Sequence, residues 1–172
     1  MNALAEPKDY LQHLKEDKLF QQWQENNSQS YLSHFFIPLS SEFKVKGQWE
    51  VGFYNPADDK ITTFTQLKED FEIKPADDVF KKQADKVEQL KLEDIKINLE
   101  KSGDLFKENV LKIFPEATLG DGFLILQKFK GKIIWNYTFI TKALKFINLK
   151  IDALNGEVEH ETVNLIDQGN KQ

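Results

Sequence analysis

The spacing of apolar residues predicts two helices. Between Pro7 and Asn26, apolar side chains recur at intervals of three and four residues, and proline is well tolerated in a first helical turn. A second helix is predicted to follow Asn98, a favourable N-cap residue, and to end before Pro115. The apolar residues that define these helices are Tyr10, Leu11, Leu14, Phe20 and Trp23 in the first and Leu99, Phe106, Val110, Ile113 and Phe114 in the second.

Alternating and continuous apolar runs predict strands in the rest of the chain. Turn-forming residues separate several of them, notably residues 55–60 (NPADDK) and Asp152–Gly156 (DALNG). The predicted strands are Tyr31–Leu39, Phe43–Tyr54, Ile61–Leu67, a short edge strand Ile95–Ile97, Phe123–Lys130, Lys132–Thr141, Leu144–Asp152 and Glu157–Ile166.

These elements predict an α+β fold made of two similar halves, each a helix packed on a curved antiparallel β-meander. The predicted organisation is an N-terminal helix and sheet over residues 1–67, a connector over residues 68–94 and a second unit over residues 95–172. Fifteen of the 27 residues from 68 to 94 are charged, which is typical of a solvated connector. Val51 and Phe53, before the turn at 55–60, are aligned with Leu149 and Ile151, before the turn at Asp152.

Composition narrows the class of protein. The 172 residues contain 21 aromatic side chains and no Cys, which excludes collagen, a disulfide framework and zinc thiolate sites and is atypical of disorder. No apolar stretch approaches the roughly 20 residues of a membrane-spanning helix, so no membrane association is expected. The cytoplasm is the expected location, and secretion is the alternative if a leader has been removed before Ala3.

The segment Asp152–Gly156 has a structural explanation. The Asp152 carboxylate is placed to accept hydrogen bonds from the backbone N–H groups of Leu154 and Asn155. Gly156 supplies the positive φ that returns the chain to the sheet. If Ile151 pairs with Val158, Lys150 lies opposite Glu159.

Candidate chemistry is sparse. The three histidines, His13, His34 and His160, are not arranged with the spacing of a metal site, and we interpret them as surface or core side chains. The acidic pairs at residues 58–59 and 77–78 do not match a calcium-binding loop and suit turns or helix starts. We therefore predict no catalytic residue, no metal site, no cofactor and no enzymatic activity.

One charge asymmetry stands out. All 23 basic residues are Lys, and residues 123–151 contain six of them and no acidic residue. Strand parity separates Lys128 and Lys130 from Phe123, Ile125 and Phe129, which favours an aromatic core beside a solvated lysine face. The alternative is a basic aromatic surface for single-stranded nucleic acid, although Arg, the better phosphate ligand, is absent.

Two polar residues offer a further alternative. Asn136 and Thr138 lie on the strand face opposite Trp135, where they are either ordinary outward residues or polar anchors in a ligand groove. The candidate contact surface predicted from the sequence comprises Lys128, Lys130, Lys132, Asn136, Thr138 and Lys150.

A family resemblance rests on the C-terminal half. The run KIIWNYTFIT from Lys132 and the run FINLKIDALNGEV from Phe146 resemble PepSY domains, which carry a Trp-bearing strand and an Asp-Ala-x-x-Gly-Glu-Val hairpin. The similarity covers about residues 99–166. It implies a cystatin-like helix on a sheet and a non-catalytic binding or inhibitory module. The whole chain also resembles small archaeal proteins of unknown function, through SYLSHFF from Ser30 and WEVGFYNP from Trp49.

These observations predict a non-catalytic binding protein that contacts a protein partner through a sheet face or a hairpin edge. A small-ligand protein or an enzyme with a pocket between sheet and helix is the first alternative. Weak nucleic-acid or ribosome association through residues 123–151 is the second. The partner's identity is open, and both a monomer and a homodimer are compatible with the sequence.

Overall fold

The computed structural model describes residues 4–78 and 86–164 of the chain, and its secondary structure is α+β, as predicted. The helices are α1 (Pro7–Lys15), α2 (Lys18–Asn26) and α3 (Leu99–Ile113), with a 3₁₀ turn at Leu92–Asp94. The strands are β1 (Tyr31–Leu39), β2 (Glu50–Asn55), β3 (Lys60–Leu67), β4 (Asp70–Asp78), β5 (Leu119–Phe129), β6 (Lys132–Thr141), β7 (Lys145–Asp152) and β8 (Val158–Asn164).

The eight strands form one antiparallel sheet in the order β4-β3-β2-β1-β5-β6-β7-β8. Each half of the chain therefore contributes a four-strand meander that follows helical structure. The first strands of the two meanders, β1 and β5, pair at the centre, with Phe36 opposite Ile125. This pairing makes the sheet continuous across the two halves.

All three helices cover the same face of the sheet. The α2 side chain of Phe20 packs on Phe53 and Phe64 with ring centroids 5.2 Å apart in both contacts, and in α3 the Phe106 ring stacks on Tyr137 at 4.5 Å. The register of the strands places these partners on one face, together with fully buried side chains of β1, β5 and β6. The core is thus a single layer between the helices and the sheet, and we call the other side of the sheet the helix-free face.

Two tryptophans anchor the chain segments that lead into helices. Trp49, next to β2, donates its indole N–H to the carbonyl of Ala5, and Trp135 in β6 donates to the carbonyl of Ile97, each over 2.8 Å. Each acceptor lies two residues before the first helical residue, Pro7 or Leu99. Both indole rings are fully buried, so each bond satisfies an N–H group that would destabilise the fold if it were buried without an acceptor.

The predicted first helix is divided in two. Asp17 has an extended backbone, and its carboxylate accepts hydrogen bonds from the N–H groups of Leu19 and Phe20, so it caps α2. The apolar spacing continues across the break because Leu14 and Phe20 both enter the same core. The second predicted helix is confirmed as α3, and the Asn98 side chain accepts from the N–H of Lys101.

The charged connector predicted at residues 68–94 is wrong for residues 70–78, which form the edge strand β4. Phe71 is buried beside Tyr10, which fixes one face of this strand despite its many charged neighbours. Residues 79–85 of the predicted connector lie outside the described residues. The predicted edge strand Ile95–Ile97 is also wrong: the N–H groups of Lys96 and Ile97 bond the carbonyl of Ala153 without forming a ladder.

Two further predictions are corrected by the strand positions. The strand predicted at Phe43–Tyr54 begins only at Glu50, because residues 40–49 form a loop with one bridge between Leu39 and Val45. The turn after β2 is the second reversal of its meander, whereas the turn after β7 is the third of its own. The alignment of these two turns is therefore displaced by one strand. No described helix is both long and apolar enough to cross a bilayer.

Candidate functional site

The residues predicted as a contact surface are divided between the two sides of the sheet. Lys132, Asn136 and Lys150 lie on the helix-free face, as does Thr138, because their cross-strand partners all share that parity. Lys128 lies opposite Ile133 on the helix side. The predicted aromatic core of β5 is therefore reversed: Phe123, Ile125 and Phe129 face away from the helices, and Leu124 and Leu126 enter the core.

The lysines do not form a continuous basic surface. Lys130 is in the turn between β5 and β6, with its ammonium 5.2 Å from the ring centroid of Phe129. Lys142 and Lys145 lie near the other end of β6. They are roughly 30 Å from Lys130, which is the length of a ten-residue strand. The Lys150 ammonium pairs with Glu161 at 3.2 Å, diagonally from Glu159, its direct neighbour in the register.

A polar cluster lies at the centre of the second meander on the helix-free face. The buried amide nitrogen of Asn148 is 2.9 Å from Thr138 Oγ1 and also contacts the side-chain oxygen of Asn136. The Asn148 Oδ1 atom is buried and has no hydrogen-bond partner in the part of the chain that is described. Asn148 was not predicted from the sequence, although the β6–β7 register that places it opposite Thr138 follows once the turn is known.

Apolar side chains surround this cluster. They are half-buried or buried although no described helix covers them, and the Phe36 and Phe123 rings lie 5.7 Å apart. An apolar outward face is unusual for an antiparallel sheet, whose uncovered side is commonly polar. The members of this apolar surface are Phe36, Phe123, Ile125, Phe129, Ile134, Ile140 and Phe146.

The three histidines are held apart. The His13 Nε2 atom contacts the side-chain amide of Gln66 at 3.2 Å, and the His160 ring packs edge-on against Phe114 at 5.8 Å. The His34 ring lies directly over Gly52 on the helix-free face, and its Nδ1 atom is 2.8 Å from Ser33 Oγ. Burial lowers the pKa of His34 to about 4, so this imidazole is neutral at pH 7. Among the side chains that the structure describes, no three metal-ligating groups converge.

The Asp152 turn has the predicted hydrogen bonds. The carboxylate accepts from the N–H groups of Leu154 at 2.8 Å and of Asn155 at 3.4 Å, and Gly156 has a φ of 79°. The Asn155 side chain in turn accepts from the N–H of Glu157. These three hydrogen bonds all lie within the hairpin.

A cleft of about 570 Å³ opens on the helix side, between α3, the loop at residues 40–49 and the sheet. We call it the helix-side cleft. Its volume is within the range of small-molecule sites, and most of its wall is apolar. The apolar lining comprises Leu4, Leu39, Phe43, Val45, Leu99, Phe106, Leu124 and Tyr137, and the charged lining comprises Glu6, Lys44, Glu100, Asp104 and Lys107.

A buried hydroxyl pair lies at the wall of this cleft. Ser102 Oγ donates to the carbonyl of Leu99 and lies 2.8 Å from the Tyr137 hydroxyl. Because the serine has a single proton, Tyr137 is the donor in the second bond, and the lone pairs of its oxygen stay available to accept. Burial raises the pKa of Tyr137 to about 12, and the negative charges of Asp104 and Glu6 raise it further.

Two backbone features keep the cleft open. Gly103 lines it from the second turn of α3, and a methyl group at that position would lie 3.9 Å from the Tyr137 hydroxyl. Glycine is about 1 kcal/mol less favourable than alanine within a helix, so its place here leaves space at the expense of helix stability. On the facing wall, Phe43 has a φ of 63°, a left-handed conformation that bulky side chains rarely adopt. Its ring packs edge-on against Phe106 and Phe139, at 5.2 and 5.5 Å.

The sequence predicted a pocket between sheet and helix as an alternative but none of its residues. Gly103 within an otherwise regular helix was the available signal. Phe43 was assigned to a strand, and nothing local to it predicts a left-handed turn. Searches of protein-family models, of curated proteins and of solved structures return no match to this chain.

Proposed function

We propose that this chain is a non-catalytic binding protein that holds a small, mainly apolar ligand in the helix-side cleft. The observation that carries the proposal is the cleft itself, a volume of about 570 Å³ with an apolar wall and a buried hydroxyl acceptor. This composition, apolar with a few fixed polar groups, is typical of small-molecule sites.

The groups beside the cleft support binding over catalysis. General acid–base chemistry at neutral pH needs a side chain whose pKa lies near 7. The Tyr137 hydroxyl, with a pKa of about 12, stays protonated, and Ser102 donates to a backbone carbonyl without a neighbouring base. These two hydroxyls therefore act as fixed hydrogen-bonding groups.

The proposal is tested by filling the cleft. Gly103→Leu places a large side chain toward Tyr137 in a residue type that favours helices. Lys101→Leu is the matched control, because it adds the same side chain to an exposed position of α3 outside the cleft lining. With 4-phenylbutanol as probe in titration calorimetry, we expect binding to the native chain and to Lys101→Leu, and at least tenfold weaker binding to Gly103→Leu. Equal affinity of all three proteins would refute the cleft as the site.

A second candidate function is contact with a protein partner through the helix-free face. It is favoured by the uncovered apolar surface around Phe36 and Phe123 and by the unpartnered acceptor of Asn148 within the described chain. The Ile125→Lys variant places a charge at the centre of this face, and Leu111→Lys, at an exposed position of α3, is its control. Partners captured from the source organism should be lost with Ile125→Lys and kept with Leu111→Lys. Capture that both variants preserve would contradict this candidate.

The proposal also concerns the internal repeat of the fold and the family that it resembles. We infer two PepSY-like, cystatin-like repeats, supported by two similar arrangements of helical structure followed by a meander and by the equivalent bonds of Trp49 and Trp135. With these tryptophans aligned, β2 corresponds to β6 and the displaced turn alignment is resolved. Such modules bind without catalysis, which agrees with the proposed function.

A further inference from the structure

We propose that the ligand of the helix-side cleft is a cationic amphiphile, with a protonated amine directed at the Tyr137 hydroxyl and an apolar body against the packed rings of Phe43 and Phe106. This inference rests on the proposed function and specifies the chemical class of its ligand. It is carried by the distribution of protons and charges around the cleft.

The hydrogen-bonding state of Tyr137 selects a donor. Its proton is committed to Ser102, whose own proton is committed to the carbonyl of Leu99. The group that the cleft offers at this point is therefore an oxygen lone pair. An ammonium is a donor without acceptor capacity, whereas a carboxylate would meet another acceptor there.

The field at the hydroxyl selects a positive charge. Asp104 and Glu6 both raise the pKa of Tyr137, in addition to the larger effect of burial, which means that they disfavour a negative charge on its oxygen. The same carboxylates favour a positive charge placed at that oxygen. No described residue forms an ion pair with Asp104, so its charge is available to a ligand.

The groups that could attract an anion are already engaged. The N-terminus of α3 receives the Glu6 carboxylate at the N–H of Leu99 and the Asn98 side chain at the N–H of Lys101. The Lys44 ammonium pairs with Glu42 at 2.9 Å. The Lys107 ammonium lies 5.8 Å from the ring centroid of Phe43, over the wall of the cleft. An anionic head group would have to displace one of these contacts.

Three probes with one apolar body separate the possibilities. They are 4-phenylbutylamine, 4-phenylbutanol and 4-phenylbutyrate, which at pH 7 are cationic, neutral and anionic. A hydrogen bond that involves a charged group is stronger than a neutral one, so we expect the amine to bind about fivefold more tightly than the alcohol. The butyrate should bind more weakly than the alcohol, and added salt should weaken binding of the amine but leave the alcohol unchanged.

The Asp104→Asn variant tests the source of the preference. It removes one charge with little change in size, and because this side chain is exposed we expect about threefold to fivefold weaker amine binding. The alcohol should bind the variant as it binds the native chain. Glu159→Gln makes the same change of net charge on the other face of the sheet and should leave both affinities unchanged.

The outcomes distinguish this inference from the function on which it rests. If the alcohol binds in the cleft but the amine binds no better, or if the butyrate binds best, the cationic class is wrong and the small-ligand function stands. If no probe binds, or if Gly103→Leu binds all three like the native chain, both proposals are wrong. An amine preference that Asp104→Asn and Glu159→Gln reduce equally would show a general charge effect and would overturn the inference.

Discussion

Acidification should destabilise the fold through His34. The imidazole lies over Gly52 and is held neutral, since burial lowers its pKa to about 4 from the 6.5 of an unperturbed histidine. The unfolded chain therefore binds a proton in the window between these two values, whereas the folded chain does not. The contribution of neutral His34 to the free energy of unfolding is therefore fully present above about pH 6.5 and is lost as the pH falls toward 4.

The size of this effect follows from the two pKa values. Their difference corresponds to roughly 3 kcal/mol of unfolding free energy below pH 4, and to about 2 kcal/mol of loss between pH 7 and pH 5. His34 keeps some contact with solvent, so we expect the measured losses of unfolding free energy to fall at or somewhat below these two values. A loss of 2 kcal/mol is a large fraction of the 5–15 kcal/mol typical of a folded domain.

The assay compares urea unfolding of the native chain with that of His34→Gln, whose side chain does not titrate, at several pH values from 7 to 4.5. Carboxylates titrate in both proteins, so the difference between the two curves isolates His34. The native chain should lose about 2 kcal/mol more than the variant by pH 5. An NMR titration that places the His34 pKa at or above 6.5, or parallel stability curves for the two proteins, would refute the reasoning.

Four substitutions give further expectations, each measured by chemical denaturation at pH 7. Gly52→Ala brings a methyl group to 2.1 Å from a carbon of the His34 ring, so it should destabilise the fold by about 1–3 kcal/mol, and unchanged stability would contradict the stacked ring. Gly103→Ala meets no atom closer than 3.9 Å, so it should stabilise α3 by about 0.5–1 kcal/mol, and a loss would mean that the site cannot accept a side chain. Trp135→Phe and Trp49→Phe each remove a buried indole donor and should cost similar amounts, about 2 kcal/mol or more, whereas a large cost from only one would weaken the repeat proposal.

Much of the fold follows from the sequence because its signals are local. The β6 boundaries and the Asn98 cap are read directly from alternation and from an N-cap residue before an apolar stripe. Other elements depend on contacts that no local pattern contains. Residues 123–126 are all apolar, so parity alone could not decide which face of β5 meets the helices; pairing with β1 and β6 decides it. The strand β4 is hidden by its charges because an edge strand needs only one anchored face, here supplied by Phe71.

The candidate site was less accessible to sequence reasoning than the fold. Its walls come from the loop at residues 40–49, from α3 and from strands of both halves of the sheet. Their convergence depends on the β1–β5 pairing and on the left-handed turn at Phe43. The lysine-rich segment is distinctive in composition, yet strand alternation and strand length distribute its charges over both faces of the sheet and both ends of β6.

The most direct test of the central claim is to locate a bound probe by intermolecular nuclear Overhauser effects in the complex with 4-phenylbutanol. A ligand in the helix-side cleft should give contacts from its phenyl protons to the side chains of Phe43, Phe106 and Tyr137. Contacts confined to Phe123 and Ile125 would place the site on the helix-free face instead. That result, or no binding at all, would contradict the account.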